Sequence, residues 1–177
     1  MVNNSIGYIS GFTNDTYDSL GDFIQYCVDN GYLPDVNSLP LIPTMTSNTT
    51  PSGNCIASAD STNAYKAFNK LASDFWGNSV TSSANIGYMF PSKTYVKYIE
   101  VTNRSDSGNT SPKDLIVQGS DDGTNWNNIV NYTNSNTVNG DKWKINVNSN
   151  TAYKYWRLNI TSLNSQYLNI AEIQFYG

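Results

Sequence analysis

Strict alternation of apolar and polar residues, repeated along the second half of the chain, constrains its fold more than any other feature. Ile99 and Val101 alternate with Tyr98, Glu100 and Thr102. Trp143, Ile145 and Val147 alternate with Lys142, Lys144 and Asn146. Trp156, Leu158 and Ile160 alternate with Tyr155, Arg157 and Asn159, and Ile173 and Phe175 with Glu172, Gln174 and Tyr176. Successive side chains of a strand point to opposite faces, so a period of two describes strands with one buried and one wet face. Residues 86–90 read as a further short strand. The breaks between these runs are rich in turn formers, the pattern of an antiparallel sandwich or barrel. No internal repeat is visible.

The stretch LIVQGSDDGTNWNNIV, residues 115–130, places two aspartates beside a glycine, as a calcium loop does. An EF-hand loop needs oxygen side chains in the pattern D-x-[DN]-x-[DN]-G. Asp122 fits when counted back from Gly123, but Ser120 and Gln118 stand where carboxylates belong. The alternative is a hairpin: branched residues up to Gly119, an Asp-Gly turn signal, then Trp126 and Ile129 resuming the apolar pattern. The spacing predicts the hairpin. Asp121 and Asp122, adjacent on a turn, do not form an acid/base pair.

The first 43 residues have another texture. Leu20, Phe23, Ile24, Cys27 and Val28 follow the i, i+3, i+4, i+7, i+8 rule and predict one amphipathic helix over about residues 16–30, capped by Asp15 or Thr16. Gly31 suits the position after its end, with Pro34 beyond. A helix this short is marginal alone, so its apolar stripe needs a partner. Residues 33–43 carry three prolines and read as an extended spacer. The expected division is an assembly segment at 1–43 and a β domain at 44–177.

Composition excludes several functions. Of 177 residues only 10 are Lys or Arg, scattered along the chain, and net charge is −4, so a nucleic-acid partner is not expected. Charged residues make up 14%, below the roughly 25% usual for soluble domains; polarity comes instead from Asn, Ser and Thr. There is no histidine, which removes the commonest general base and metal ligand. No nucleophile elbow, phosphate loop or dinucleotide fingerprint occurs, so no enzyme is expected. Cys27 and Cys55 are the two cysteines, and their pairing is open from sequence. No apolar run reaches the ~18 residues of a membrane span, and the start has neither the basic end nor the apolar run of an export signal.

Five pieces, in order, resemble the discoidin-type domain, also called the coagulation factor V/VIII C-type domain and shared by family 32 carbohydrate-binding modules. They are AYKAFNKLASDFWGNS (64–79), IGYMFPSKTYVKYIEVTNR (86–104), SPKDLIVQGSDDGTNWNNI (111–129), YKYWRLNIT (153–161) and YLNIAEIQFYG (167–177). The resemblance covers about three quarters of the chain. It implies an all-β jelly-roll β-sandwich of the galactose-binding-domain type, here preceded by a short N-terminal α-helical segment. It implies recognition by loops at one end, with Trp76 as a core tryptophan. It also implies a structural calcium, for which Asn69, Asp74 and Glu172 would supply side-chain oxygens. Asn69 and Lys70 stand where the family has Asp and Gly, and Asp74 where it has Thr. For a glycan, the resemblance points to Arg104 just after a strand, with Asn78, Asn109 and Tyr167 in neighbouring loops. The family's sugar-binding histidine has no counterpart.

These readings converge on a non-enzymatic structural protein of a virion or surface. In that expectation it is a bacteriophage capsid decoration or a tail or fibre component, and residues 1–43 attach it to other virion proteins in a multicopy or homo-oligomeric assembly. The chain opens on its own Met, lacks an export signal and carries a domain type that works outside cells; release by lysis reconciles these points. The domain would sit on the virion surface and adhere to host glycans. The alternative is a secreted or cell-surface carbohydrate-binding module with an extracellular location and no virion role.

Overall fold

A computed structural model describes residues 20–31, 39–106 and 109–177, leaving aside the side chains of residues 20–22, 25, 78 and 79. The chain forms two compact units, Met1–Val36 and Asn37–Gly177. The first holds one helix, α1 (Leu20–Asp29). Its C-terminus follows the expectation: Gly31 adopts φ +74° and its N–H bonds the Val28 carbonyl at 3.0 Å. On the expected stripe Cys27 is buried, Phe23 and Val28 are half-buried, and Ile24 is 42% exposed. The side chain of Leu20 and the proposed caps Asp15 and Thr16 lie outside the described residues. Cys27 and Cys55 are both free thiols.

The second unit is a β-sandwich. Its strands are β1 (Asn54–Ala57), β2 (Trp76–Val80), β3 (Ala84–Thr94), β4 (Tyr98–Thr102), β5 (Asp114–Ser120), β6 (Asn127–Thr133), β7 (Lys142–Asn146), β8 (Tyr153–Ile160), β9 (Leu168–Ile170) and β10 (Glu172–Tyr176). A 3-10 helix spans Ser61–Phe68. Five strands pair antiparallel in the order β1-β3-β8-β5-β6, three in the order β10-β4-β7, and β2 pairs with β9.

Register turns the sequence alternation into a core. Leu158 lies opposite Ile86 and Val117, and Trp156 opposite Tyr88 and Gly119. In the smaller sheet Ile99 lies opposite Phe175 and Ile145, and Val101 opposite Ile173 and Trp143. The two inner faces meet where Phe90 packs edge-on against Phe175 at 6.1 Å and Tyr132 stacks on Trp143 at 5.4 Å. Burial of each such side chain stabilises by roughly 1.5–3 kcal/mol. The three core indoles also satisfy their N–H groups: Trp76 with the Ala59 carbonyl, Trp156 with that of Thr94, and Trp143 with Asn103 Oδ1.

The expected spacer does not stop short of the sandwich. Pro40 pairs with Tyr176, the Leu41 N–H donates to the Phe175 carbonyl at 2.7 Å, and Ile42 is buried among the core residues. Residues 40–42 thus extend the β10 edge.

Candidate functional site

The expected hairpin joins β5 and β6, and its loop explains both aspartates. Asp122 Oδ1 accepts the N–H groups of Thr124 and Asn125, Oδ2 accepts Asn125 Nδ2, and Ser120 Oγ accepts the N–H groups of Asp122 and Gly123. The Asn125 backbone N–H and then its side chain hold the Asp122 carboxyl well below the usual carboxylate range. Asp121 pairs with Lys93 at 2.7 Å. The carboxylates are committed to the turn.

The sites taken from the resemblance lie elsewhere. β4 leaves the sheet at Asn103, a buried amide that fixes the exit in three directions. Its Nδ2 donates to the Val138 and Asn136 carbonyls, its Oδ1 accepts the indole N–H of Trp143, and its N–H bonds the Asp141 carbonyl. Arg104 follows. Its guanidinium lies over the ring of Phe75, 3.5 Å from the centroid. Nη1 donates to Asn169 Oδ1 at 3.3 Å, while Nε and Nη2 fork onto the carboxylate of Asp106. Hydrogen bonds from Arg104 hold the Asp106 carboxyl below its ordinary range.

Asn169 is the joint between loops. It is buried, its Nδ2 donates to the carbonyls of Gly77 and Leu168, and its backbone N–H donates to the Thr110 carbonyl. Four segments therefore meet at one place: 75–77, 104–106, 109–110 and 167–169. Of the expected residues, Arg104 is bound into it, and Asn109 and Tyr167 lie next to it in sequence. Tyr167 is 45% exposed, two residues before the joint. Asn109 has φ +35° and its Oδ1 accepts Ser111 Oγ at 3.5 Å. Asn78 lies on β2 with its side chain outside the described residues.

Phe75 and Asn169 were not among the expected residues. The signals were present. Asn169 is a polar residue inside the apolar run YLNIAEI, where burial demands partners. Phe75 directly precedes core Trp76, so the two rings point to opposite sides. More asparagines brace the surrounding loops: Asn134 Nδ2 donates to the carbonyls of Pro112 and Asn136, and Asn164 Nδ2 to Ser111 Oγ and the Pro112 carbonyl. The Asn-rich composition thus satisfies loop backbone groups that no strand pairs.

The three residues expected to hold calcium are engaged with groups of the chain itself. Asn69 turns its oxygen to the Leu71 N–H and its NH2 group to Asp74 Oδ2. Asp74 Oδ1 takes the Phe75 N–H and faces the Lys66 ammonium at 3.2 Å. Glu172 accepts the Lys70 N–H at 2.8 Å, and burial raises its carboxyl to about 8. Calcium wants six to eight oxygens, whereas here an ammonium and an amide NH2 group face Asp74 and a backbone N–H faces Glu172 Oε2. Among the described residues no group of three or more His, Cys, Asp or Glu could hold a metal.

The family model of the F5/8 type C domain matches residues 45–173. No curated protein matches the chain significantly in sequence. Among solved structures, a Clostridium perfringens module, CpGH89CBM32-5, in complex with GalNAc-β-1,3-galactose, superposes with a TM-score of 0.63 at 16% identity, covering 75% of this chain and all of its own. The family 32 carbohydrate-binding module of C. perfringens NanJ, in complex with galactose, gives 0.61 at 13% identity over 75% of this chain and 98% of its own. A chitosan-binding module of a chitosanase/glucanase from Paenibacillus sp. IK-5 gives 0.56 at 20% identity over 74% and 98%.

Proposed function

The chain belongs to the F5/8 type C domain family, and on that footing we propose that it is a non-catalytic carbohydrate-binding module that adheres to glycans through the loops around Arg104. The observation that carries this reading is the arrangement of Arg104: its plane rests on Phe75, Asn169 holds one edge, and Tyr167, two residues before Asn169 in the chain, is exposed. A sugar needs an aromatic face for its ring and fixed polar groups for its hydroxyls. Tyr167 supplies the first. Arg104 and Asp106, already paired, offer donors and acceptors side by side to vicinal hydroxyls. With no histidine in the chain, that pair and nearby amides carry hydroxyl recognition.

Two of the similar modules were solved with galactose or a galactose-containing disaccharide, so galactose-configured glycans are the first candidates. Retention of the full chain on immobilised galactose and on GalNAc-β-1,3-galactose tests the reading. Loss of a charge-assisted hydrogen bond predicts weakening by tenfold or more in Arg104→Ala. Equal retention of Arg104→Ala and the unaltered chain would move the site elsewhere.

The fuller form of the proposal sets this domain on a virion surface, as a capsid decoration or a tail or fibre component, with the N-terminal unit as its attachment. Its support is that Met1–Val36 forms a compact unit of its own, with Ile24 exposed on the helix that carries buried Cys27. Attachment through that face requires self-association or a partner. Light scattering on the full chain and on Ile24→Asp separates this from an extracellular module without a particle: a multimer dissolved by the substitution supports attachment, and a monomer in both favours the free module.

A further inference from the structure

We propose that Lys66 stands in for a metal ion in this fold: its ammonium supplies, from within the chain, the positive charge that holds Asp74 and the 69–75 loop, so that the loop neither needs calcium nor admits it. Lys66 lies in the last turn of the 3-10 helix Ser61–Phe68, 3.2 Å from Asp74 Oδ1, with the two side chains 30% and 29% exposed. The other hydrogen bonds to Asp74 come from the Phe75 N–H at 3.0 Å and Asn69 Nδ2 at 3.1 Å. Because Asn69 Oδ1 is taken by the Leu71 N–H at 2.9 Å, its amide presents hydrogens to the carboxylate. A cation at Asp74 would therefore compete with the Lys66 ammonium and with the hydrogens of Asn69 and Phe75.

The second acidic group is defended in the same way. Glu172 lines a cavity of about 160 Å³ together with Lys70, Ala72, Thr102, Lys142 and Gln174. That volume exceeds what an ion requires, so size does not exclude one. Charge works against one: Lys70 and Lys142 share the lining with the single carboxyl of Glu172, Lys142 also pairing with Glu100 at 2.8 Å. Lys70 also keeps φ at +58°, a conformation that favours glycine, and its N–H points at Glu172 Oε2. Three of the ten cationic residues of the chain thus stand beside the expected ligands, Lys66 at Asp74 and Lys70 and Lys142 at Glu172, with Glu100 as a third acid on Lys142. A divalent cation entering that cavity would meet Lys70 and Lys142 among its lining.

Thermal melting of the full chain in millimolar calcium and in chelator tests this, with calorimetry of calcium binding alongside. The expected result is one melting temperature in both buffers and no saturable heat. Lys66→Gln should melt about 2–4 °C lower, the shift of a modest part-buried interaction in a domain of this size, and Lys66→Arg should recover most of it. The proposal is overturned if chelator lowers the melting temperature of the unaltered chain and calcium restores it, with a binding heat that Asp74→Asn abolishes. It is equally overturned if Lys66→Gln melts with the unaltered chain. Should Lys66→Gln fail to fold, the chelator comparison on the unaltered chain still decides.

Discussion

Asp122 and Glu172 show how far a side chain's role depends on what surrounds it. Both are carboxylates that a motif reader would offer to calcium. Asp122 is wrapped by the N–H groups of its own turn, which keep it charged. Glu172 is buried on β10, where desolvation raises its carboxyl to about 8 despite the Lys70 N–H and the nearby lysines. A raised acid works against folding as pH climbs. Between the ordinary carboxylate value near 4.3 and about 8, the folded chain keeps a proton that the unfolded chain has released. Stability should therefore fall across that window by up to roughly 1.4 kcal/mol per pH unit from this residue. Glu172→Gln, which keeps an acceptor for the Lys70 N–H, should match the unaltered chain near pH 4 and exceed it at pH 8 in urea unfolding. Parallel pH profiles for the two chains would show that Glu172 is not held protonated. From sequence, Glu172 was legible as the polar partner of an alternating strand, but its protonation was not, because burial depends on strands far apart in the chain. Asn169 was missed for the same reason: its partners at 77, 104 and 110 become neighbours only after folding.

Elements were legible in proportion to their periodicity. The alternating runs became β4, β7, β8 and β10, and the hairpin became β5 and β6. β1, β2 and β9 carry little alternation over three to five residues and were not anticipated as strands. Yet the β2–β9 pair is what positions the candidate site. Trp76 and Val80 register with Ile170 and Leu168 across an irregularity, and Gly77 lies in that gap at φ +103°. A Cβ there would come within 2.2 Å of the Leu168 carbonyl oxygen. Gly77→Ala meets both a forbidden backbone and a clash, and should cost at least about 2 kcal/mol. It also displaces the carbonyl that anchors Asn169, so glycan affinity should fall further than stability alone explains. A variant that melts and binds as the unaltered chain does would remove β2–β9 from the site's support.

At the scale of the molecule, a sandwich braces loops at one end, and those loops meet around a stacked guanidinium. The sequence pattern was enough for an all-β sandwich because both inner faces are built from period-two runs. The boundary of the sandwich was less legible: the prolines of 40–43 read as spacer, but Ile42 has no alternating run to announce that it joins the core. A chain begun at Asn37 should retain the stability of the sandwich, whereas one begun at residue 44 loses Ile42 and the Leu41 bond to Phe175. Loss of the Ile42 side chain alone predicts about 2–5 kcal/mol, readable as a lower midpoint in denaturant. Equal midpoints for the two truncations would place the boundary at 44 after all.

The central claim, a glycan site at Arg104, is tested most directly by a glycan array probed with the full chain in multivalent form, since clustering makes weak single contacts register. The account predicts binding to a related set of glycans that disappears in Arg104→Ala while the melting temperature changes little. A blank array from the folded chain, or binding that survives Arg104→Ala unchanged, would contradict it.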